Sequence, residues 1–175
     1  MKNFKYILIS SIIIFCLNFP AHFLFDILNN DIIAVFFPTN ESIFQHMKMI
    51  FTCYFIFYLI LFIIRKKFNY NNVFLTNLIS STATITLFLI IYLPVYLRFG
   101  EHMIFTLILL FLTILFGQFV SNFFLKKEDY KAFNIISIVL ITTIFIIGGY
   151  LTYNPIKTML FWDSEHETYE IVTKD

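Results

Sequence analysis

Pro38-Thr39-Asn40-Glu41-Ser42-Ile43-Phe44-Gln45-His46-Met47-Lys48 leads directly into the apolar run Met49 to Ile64. The run is a helix that must be covered by lipid or protein. The polar stretch before it crowds an acid, a hydroxyl, an amide, an imidazole and an amine at the mouth of that helix, as no other part of the chain does. Part of this polarity is what a helix start needs. Thr39 or Asn40 accepts a bond from an orphan first-turn N–H, and Glu41 suits the positive end of the helix dipole. His46 lies about one turn further in, where a cap is no longer required. On a helix it shares a face with Ser42, while Glu41, Gln45 and Lys48 form a second polar stripe.

Working outward, the composition sets the class. A chain of 175 residues that is 59% hydrophobic, 21% aromatic and 13% charged departs from soluble globules, which are about half apolar and about a quarter charged. Its apolar runs are continuous and long enough for a bilayer core of about 30 Å, which takes roughly 20 helical residues. Continuity excludes the alternating pattern of a membrane β-barrel. The expected fold is an all-α membrane protein: one polytopic domain over residues 1–175, a bundle of five transmembrane helices near 6–25, 40–64, 73–93, 103–125 and 132–151, and a tail over 152–175. Ile32 to Phe37 is too short to span and is expected to be a re-entrant or interfacial segment feeding the second helix. Pro94 is expected to close the third helix, whose Asn77, Ser80, Ser81, Thr82, Thr84 and Thr86 suit close helix approach in lipid. Cys16 and Cys53 fall inside apolar runs and read as buried free thiols. The net charge of +1 and the lack of a phosphate-tracking basic patch argue against nucleic acid. Membrane lipids are the expected surroundings.

Lysine and arginine in short loops stay cytoplasmic. With the N-terminus inside, the inner segments hold Lys2, Lys5, Arg65, Lys66, Lys67, Lys126, Lys127 and Lys131, and the outer ones keep Lys48, Arg98, Lys157 and Lys174. This places a multi-pass chain in the cell membrane with its C-terminus outside, and it puts His22, His46, His102 and His166 on the outer side. His22 and His46 lie within helices near the interface, where ionisable groups usually face a protein interior or a wet cavity. His22 and Asp26 are four apart and within reach of each other.

The stretch 38–48 resembles the Asn-Glu-Ser-x-Trp-Glu-His-x-Lys motif of a family of small bacterial membrane proteins, domain of unknown function 6512. The resemblance runs on through Ala21-His22-Phe23, Gly100-Glu101-His102, Gly117-Gln118, Tyr153-Asn154-Pro155 and Phe161-Trp162-Asp163. Here Phe44 stands for the family's Trp, Gln45 for its Glu, and Glu101 is inserted between Gly100 and His102. The resemblance implies a class of membrane protein and carries no activity with it.

The residues themselves suggest a membrane-embedded, metal-dependent hydrolase with an outward-facing site. His22, His46 and His102 would ligate zinc and leave a position for water, with Glu41 or Asp26 as general base and Ser42 as a supporting partner. One alternative is a small transporter or proton path built on the broken segment 32–37, although the chain shows no polar trail across the membrane. The other is an accessory or structural protein whose polar cap meets a partner or lipid headgroups. The orientation is checked by a cysteine placed at Asn71 in a chain freed of Cys16 and Cys53. A membrane-impermeant maleimide should label it only after the membrane is opened.

Overall fold

The computed structural model describes residues 2–68 and 70–173, without the side chains of Lys2, Asn3 and Lys67. Asn69 of the expected polar loop and Lys174 and Asp175 of the tail lie outside the described residues. The chain forms α1 (Lys2–Leu28), α2 (Asp31–Phe36), α3 (Ile43–Phe68), α4 (Val73–Phe99), α5 (Met103–Phe124) and α6 (Lys131–Tyr153), followed by a single 3-10 turn at Met159–Phe161. Among the described residues there is no strand beyond one isolated bridge, Asp163 with Thr168. Five of the helices, all but α2, are long and apolar enough to cross a membrane. The shortest of these has 22 residues, about 33 Å at 1.5 Å per residue.

Three of the boundary differences from the sequence reading have a visible cause. Ser42, not Thr39 or Asn40, precedes the first residue of α3, and its Oγ accepts from the Gln45 N–H at 3.4 Å in the usual N-cap geometry. At its far end α3 continues beyond Ile64 to Phe68, since Arg and Lys are good helix formers. There the Arg65 guanidinium lies 3.6 Å from the Phe62 ring centroid and donates to the Phe62 carbonyl. Pro94 sits inside α4 instead of closing it. An interior proline removes one ladder bond, and a stack of Phe88, Tyr92 and Tyr96 carries side-chain contact past the interruption. The helix ends at Gly100, whose φ of 76° suits glycine and whose N–H bonds to the Tyr96 carbonyl.

The described chain divides into two compact units, Met1–Cys16 with Tyr54–Ile138, and Leu17–Cys53 with Val139–Asp175. In the first, the polar face of α4 is buried: Thr76, Asn77, Ser80, Ser81 and Thr84 are inaccessible, whereas Thr82 and Thr86, also expected at a helix contact, are exposed on the other side. The buried phenols of α3 answer this face. The Tyr54 hydroxyl pairs with the Thr84 hydroxyl at 2.6 Å, and Tyr58 Oη donates to Ser121 Oγ at 2.7 Å while accepting from Ser80 Oγ at 3.1 Å. Gly117 on α5 makes room for this contact. Asn72, fully buried, closes the loop after α5 by donating to the Phe124 and Glu128 carbonyls and accepting from the Tyr130 N–H. Cys53 is buried, but Cys16, expected to be buried too, is exposed, because an apolar run in lipid turns only one side to protein.

In the second unit the expected short segment is α2, six residues long. Asn30 caps its start by accepting from the Ile32 N–H at 2.8 Å. Its free carbonyls are taken up from α3: Lys48 Nζ donates to the Ala34 carbonyl at 2.7 Å and Thr52 Oγ1 to the Phe36 carbonyl at 2.6 Å. Lys48, almost wholly buried, also donates to Thr152 Oγ1 of α6 at 2.8 Å. Gly149 of α6 lets Val35 approach closely.

The glycines give a stability test. A Cβ at Gly117 would collide with the Thr84 hydroxyl, the Tyr54 hydroxyl and the Ser80 carbonyl. Gly117→Ala is therefore expected to destabilise the protein by about 1–3 kcal/mol and lower its thermal midpoint in detergent. Gly148→Ala meets only Lys48 Cδ at 4.0 Å and is expected to leave the midpoint unchanged or higher, since alanine favours helix.

Candidate functional site

The residues before α3 do not join the helix; they form a turn tied down by the tail. Asn40 Oδ1 accepts from the Ser42 N–H at 3.1 Å, an Asx turn, while Asn40 Nδ2 donates to the Glu170 carbonyl at 2.9 Å. The Thr39 carbonyl accepts from the Val172 N–H at 2.9 Å. Phe44 stacks on Phe161 with ring centroids 4.4 Å apart. The Glu41 N–H donates to Asp163 Oδ2 at 2.9 Å.

Asp163 is the fastener of this arrangement. Its side chain is fully buried, and its carboxylate also accepts from the Glu165 N–H at 2.9 Å, the His166 N–H at 3.1 Å and His166 Nδ1 at 2.9 Å. Burial alone would raise its pKa, but the N–H donors of Glu41, His166 and Glu165 favour the charged form and hold the carboxyl below its ordinary range.

With its backbone so held, Glu41 extends its carboxylate to two histidines. Glu41 Oε2 lies 3.2 Å from His22 Nε2 of α1 and 3.4 Å from His46 Nε2 of α3, and the two Nε2 atoms are 3.3 Å apart. His46 Nδ1 lies 3.0 Å from the Ser42 carbonyl. A carbonyl only accepts, so Nδ1 carries the proton and the neutral ring presents a lone pair at Nε2. Burial pushes the Glu41 pKa up, yet the His22 hydrogen bond and the charge that His46 and His22 carry when protonated outweigh it, against opposition from Asp163, and leave the carboxyl below its ordinary value.

Among the described residues, His22, Glu41 and His46 are the group of His, Cys, Asp or Glu whose ligand atoms all lie within 4.8 Å of one another. Two atoms bonded to one tetrahedral ion at about 2.0–2.1 Å stand about 3.3–3.4 Å apart. Two edges of the triangle, 3.4 and 3.3 Å, match that spacing and the third, 3.2 Å, falls just short of it. Asp26, one turn beyond His22, lines a cavity of about 20 Å³ together with His22, Glu41 and His166, room for a single water. Ser42 serves as helix cap and, through its carbonyl, as the partner of His46; its hydroxyl does not enter the triangle. His102 is not in the group: it occupies the exposed N-cap position of α5, its carbonyl taken by the N–H and hydroxyl of Thr106. The oxygen next to His22 Nε2 and His46 Nε2 is Oε2 of Glu41.

Sequence reasoning put His166 on the outer side and noted Asp163 in the closing segment, but gave neither a place at the site. Asp163-Ser164-Glu165-His166 carries a local signal, an aspartate accepting from backbone two and three residues on, which reads as a turn. Its reach to Glu41, 122 residues away, has no local signal. Because Glu41 and Asp163 both have lowered folded-state pKa values, their stabilisation is full above the ordinary carboxylate pKa of about 4 and is lost as pH falls through the lowered values. Fluorescence of Trp162, the one tryptophan in the chain, should therefore report loosening of the tail on acidification below about pH 4. Asp163→Asn should cost about 1–3 kcal/mol at neutral pH and flatten that acid dependence.

No curated protein and no solved structure matches the chain. The model of one family, described as a family of unknown function (DUF6512), matches residues 1–171. That match spans nearly every residue described above, the turn before α3 and the tail that fastens it included, and the chain belongs to this family.

Proposed function

We propose that this chain is a membrane metalloprotein in which His22, His46 and Glu41 hold a zinc ion, and that it acts as a hydrolase. The observation that carries the reading is the triangle of 3.2, 3.4 and 3.3 Å edges. It is seconded by the His46 Nδ1 contact with the Ser42 carbonyl, the outer-shell bond that ligating histidines make. Two histidines and a carboxylate are a catalytic zinc set, one that leaves the fourth position to water. When bound, the ion supplies a Lewis acid that makes such a water a nucleophile near neutral pH. Asp26 borders the one-water cavity beside His22 and Glu41, which suits it to take the proton from that water. Asp163 acts through Glu41, fixing the backbone from which the carboxylate extends. The cationic segments 65–67 and 126–131 favour the cytoplasm, so in this reading the site faces the outside of the cell membrane.

The reading is tested by metal analysis of protein purified in detergent, stripped with a chelator, given zinc and dialysed. The expected result is about one zinc per chain. His46→Ala and Glu41→Gln should each lose it, with affinity falling by more than the roughly 10–100-fold typical of outer-shell changes, while Asp26→Asn should keep it. Clean protein that holds no zinc would leave the cluster a hydrogen-bonded helix start. Zinc-loaded protein that cleaves no ester, amide or phosphoester in a reporter panel would remove the hydrolase and keep the metal site.

A further inference from the structure

In the first unit, α1, α3 and the end of α5 enclose a half-open groove of about 330 Å³, at the lower end of the size of ligand sites. Its lining is graded along its length. Lys126 stands at the mouth, exposed, with Nζ 5.9 Å from the Tyr6 ring centroid and 5.7 Å from that of Tyr70. Within α5, whose last residue is Phe124, lie Asn122 and Ser121 and, deeper, Gln118, about 9 Å from the helix end at 1.5 Å per residue. The opposite wall is apolar, with Ile13 of α1 and Phe57 and Leu61 of α3 farthest from the mouth. Among the described residues that line the groove there is no carboxylate to compete for Lys126.

A cation, then amides and a hydroxyl, then hydrocarbon answers, in the same order, the groups of an anionic phospholipid: phosphate, ester carbonyls, acyl chain. We propose that this groove binds one anionic phospholipid, its phosphate on Lys126, its ester region along Asn122 and Gln118, and an acyl chain against Phe57 and Leu61. A basic pocket between membrane helices is a recurring way to hold such headgroups. The groove shares no residue with the His22, Glu41 and His46 cluster, and the proposal stands whether or not that cluster holds zinc.

Native mass spectrometry of the full chain in detergent, titrated with dioleoyl phosphatidylglycerol or dioleoyl phosphatidylcholine, tests the proposal. The wild type should retain one phosphatidylglycerol about fivefold better than phosphatidylcholine, the preference that one lysine near an anionic group supplies. Lys126→Gln should erase that preference, and Lys127→Gln, whose side chain lies outside the groove lining, should keep it. Ile13→Trp, or Leu61→Trp at the neighbouring wall, should lower retention of both lipids while circular dichroism stays helical. Equal retention of the two lipids by the wild type would overturn the proposal. So would loss of preference in Lys127→Gln to the same extent as in Lys126→Gln, or unchanged retention in both tryptophan variants.

Discussion

The second unit depends on one buried carboxylate. Asp163 gathers N–H donors from Glu41, Glu165 and His166, and a carboxylate removed from water is tolerable only when its lone pairs are so occupied. The tail and the turn before α3 therefore hold each other in place. With the Glu41 backbone anchored, its side chain has a definite direction, and the two imidazoles meet it. A helix beginning at Asn40 would have carried Glu41 on the helix surface. The Asx turn and the Asp163 bond withhold the residue from the helix.

The same rule governs Lys48. An ammonium buried against neutral oxygens is expensive, yet α2 supplies what it needs, because a six-residue helix has mostly unpaired carbonyls at its end. Lys48 and Thr52, four apart on α3, reach two of them, and the negative end of the helix dipole favours a cation there. A segment too short to span and a lysine too deep to be solvated are thus solutions to each other's problem.

In the first unit, hydroxyls do the work that salt bridges do elsewhere. Lipid offers no hydrophobic drive between helices, so association rests on close packing and shared hydrogen bonds. Gly117 brings α5 near enough for Tyr54, Thr84 and Ser80 to occupy the space a side chain would need. Tyr58 draws Ser80, Ser121 and Gln118 to a single phenol oxygen. Each of these groups is satisfied by another that would otherwise be stranded in hydrocarbon.

The class, the five long helices and the short piece ahead of α3 were legible in the sequence, because length, hydropathy and breaks are local properties that a bilayer of fixed thickness converts directly into structure. Pro94 misled because a proline's local effect is real, but neighbouring aromatic contacts and lipid favoured continuing the helix. The stretch 38–48 stood out by its composition as a candidate site, and His22, His46, His102, Asp26, Glu41 and Ser42 were named from depth and spacing. Which atoms meet was another matter. Glu41 meets both imidazoles, and that arrangement is set by Asp163, by the Glu170 and Val172 backbone, and by the stacking of Phe44 on Phe161. Those partners lie more than a hundred positions along the chain, and no periodicity records them. Which segments leave water is written in local composition; which polar groups meet is settled by packing, since a buried donor bonds to whichever acceptor the fold brings within about 3 Å.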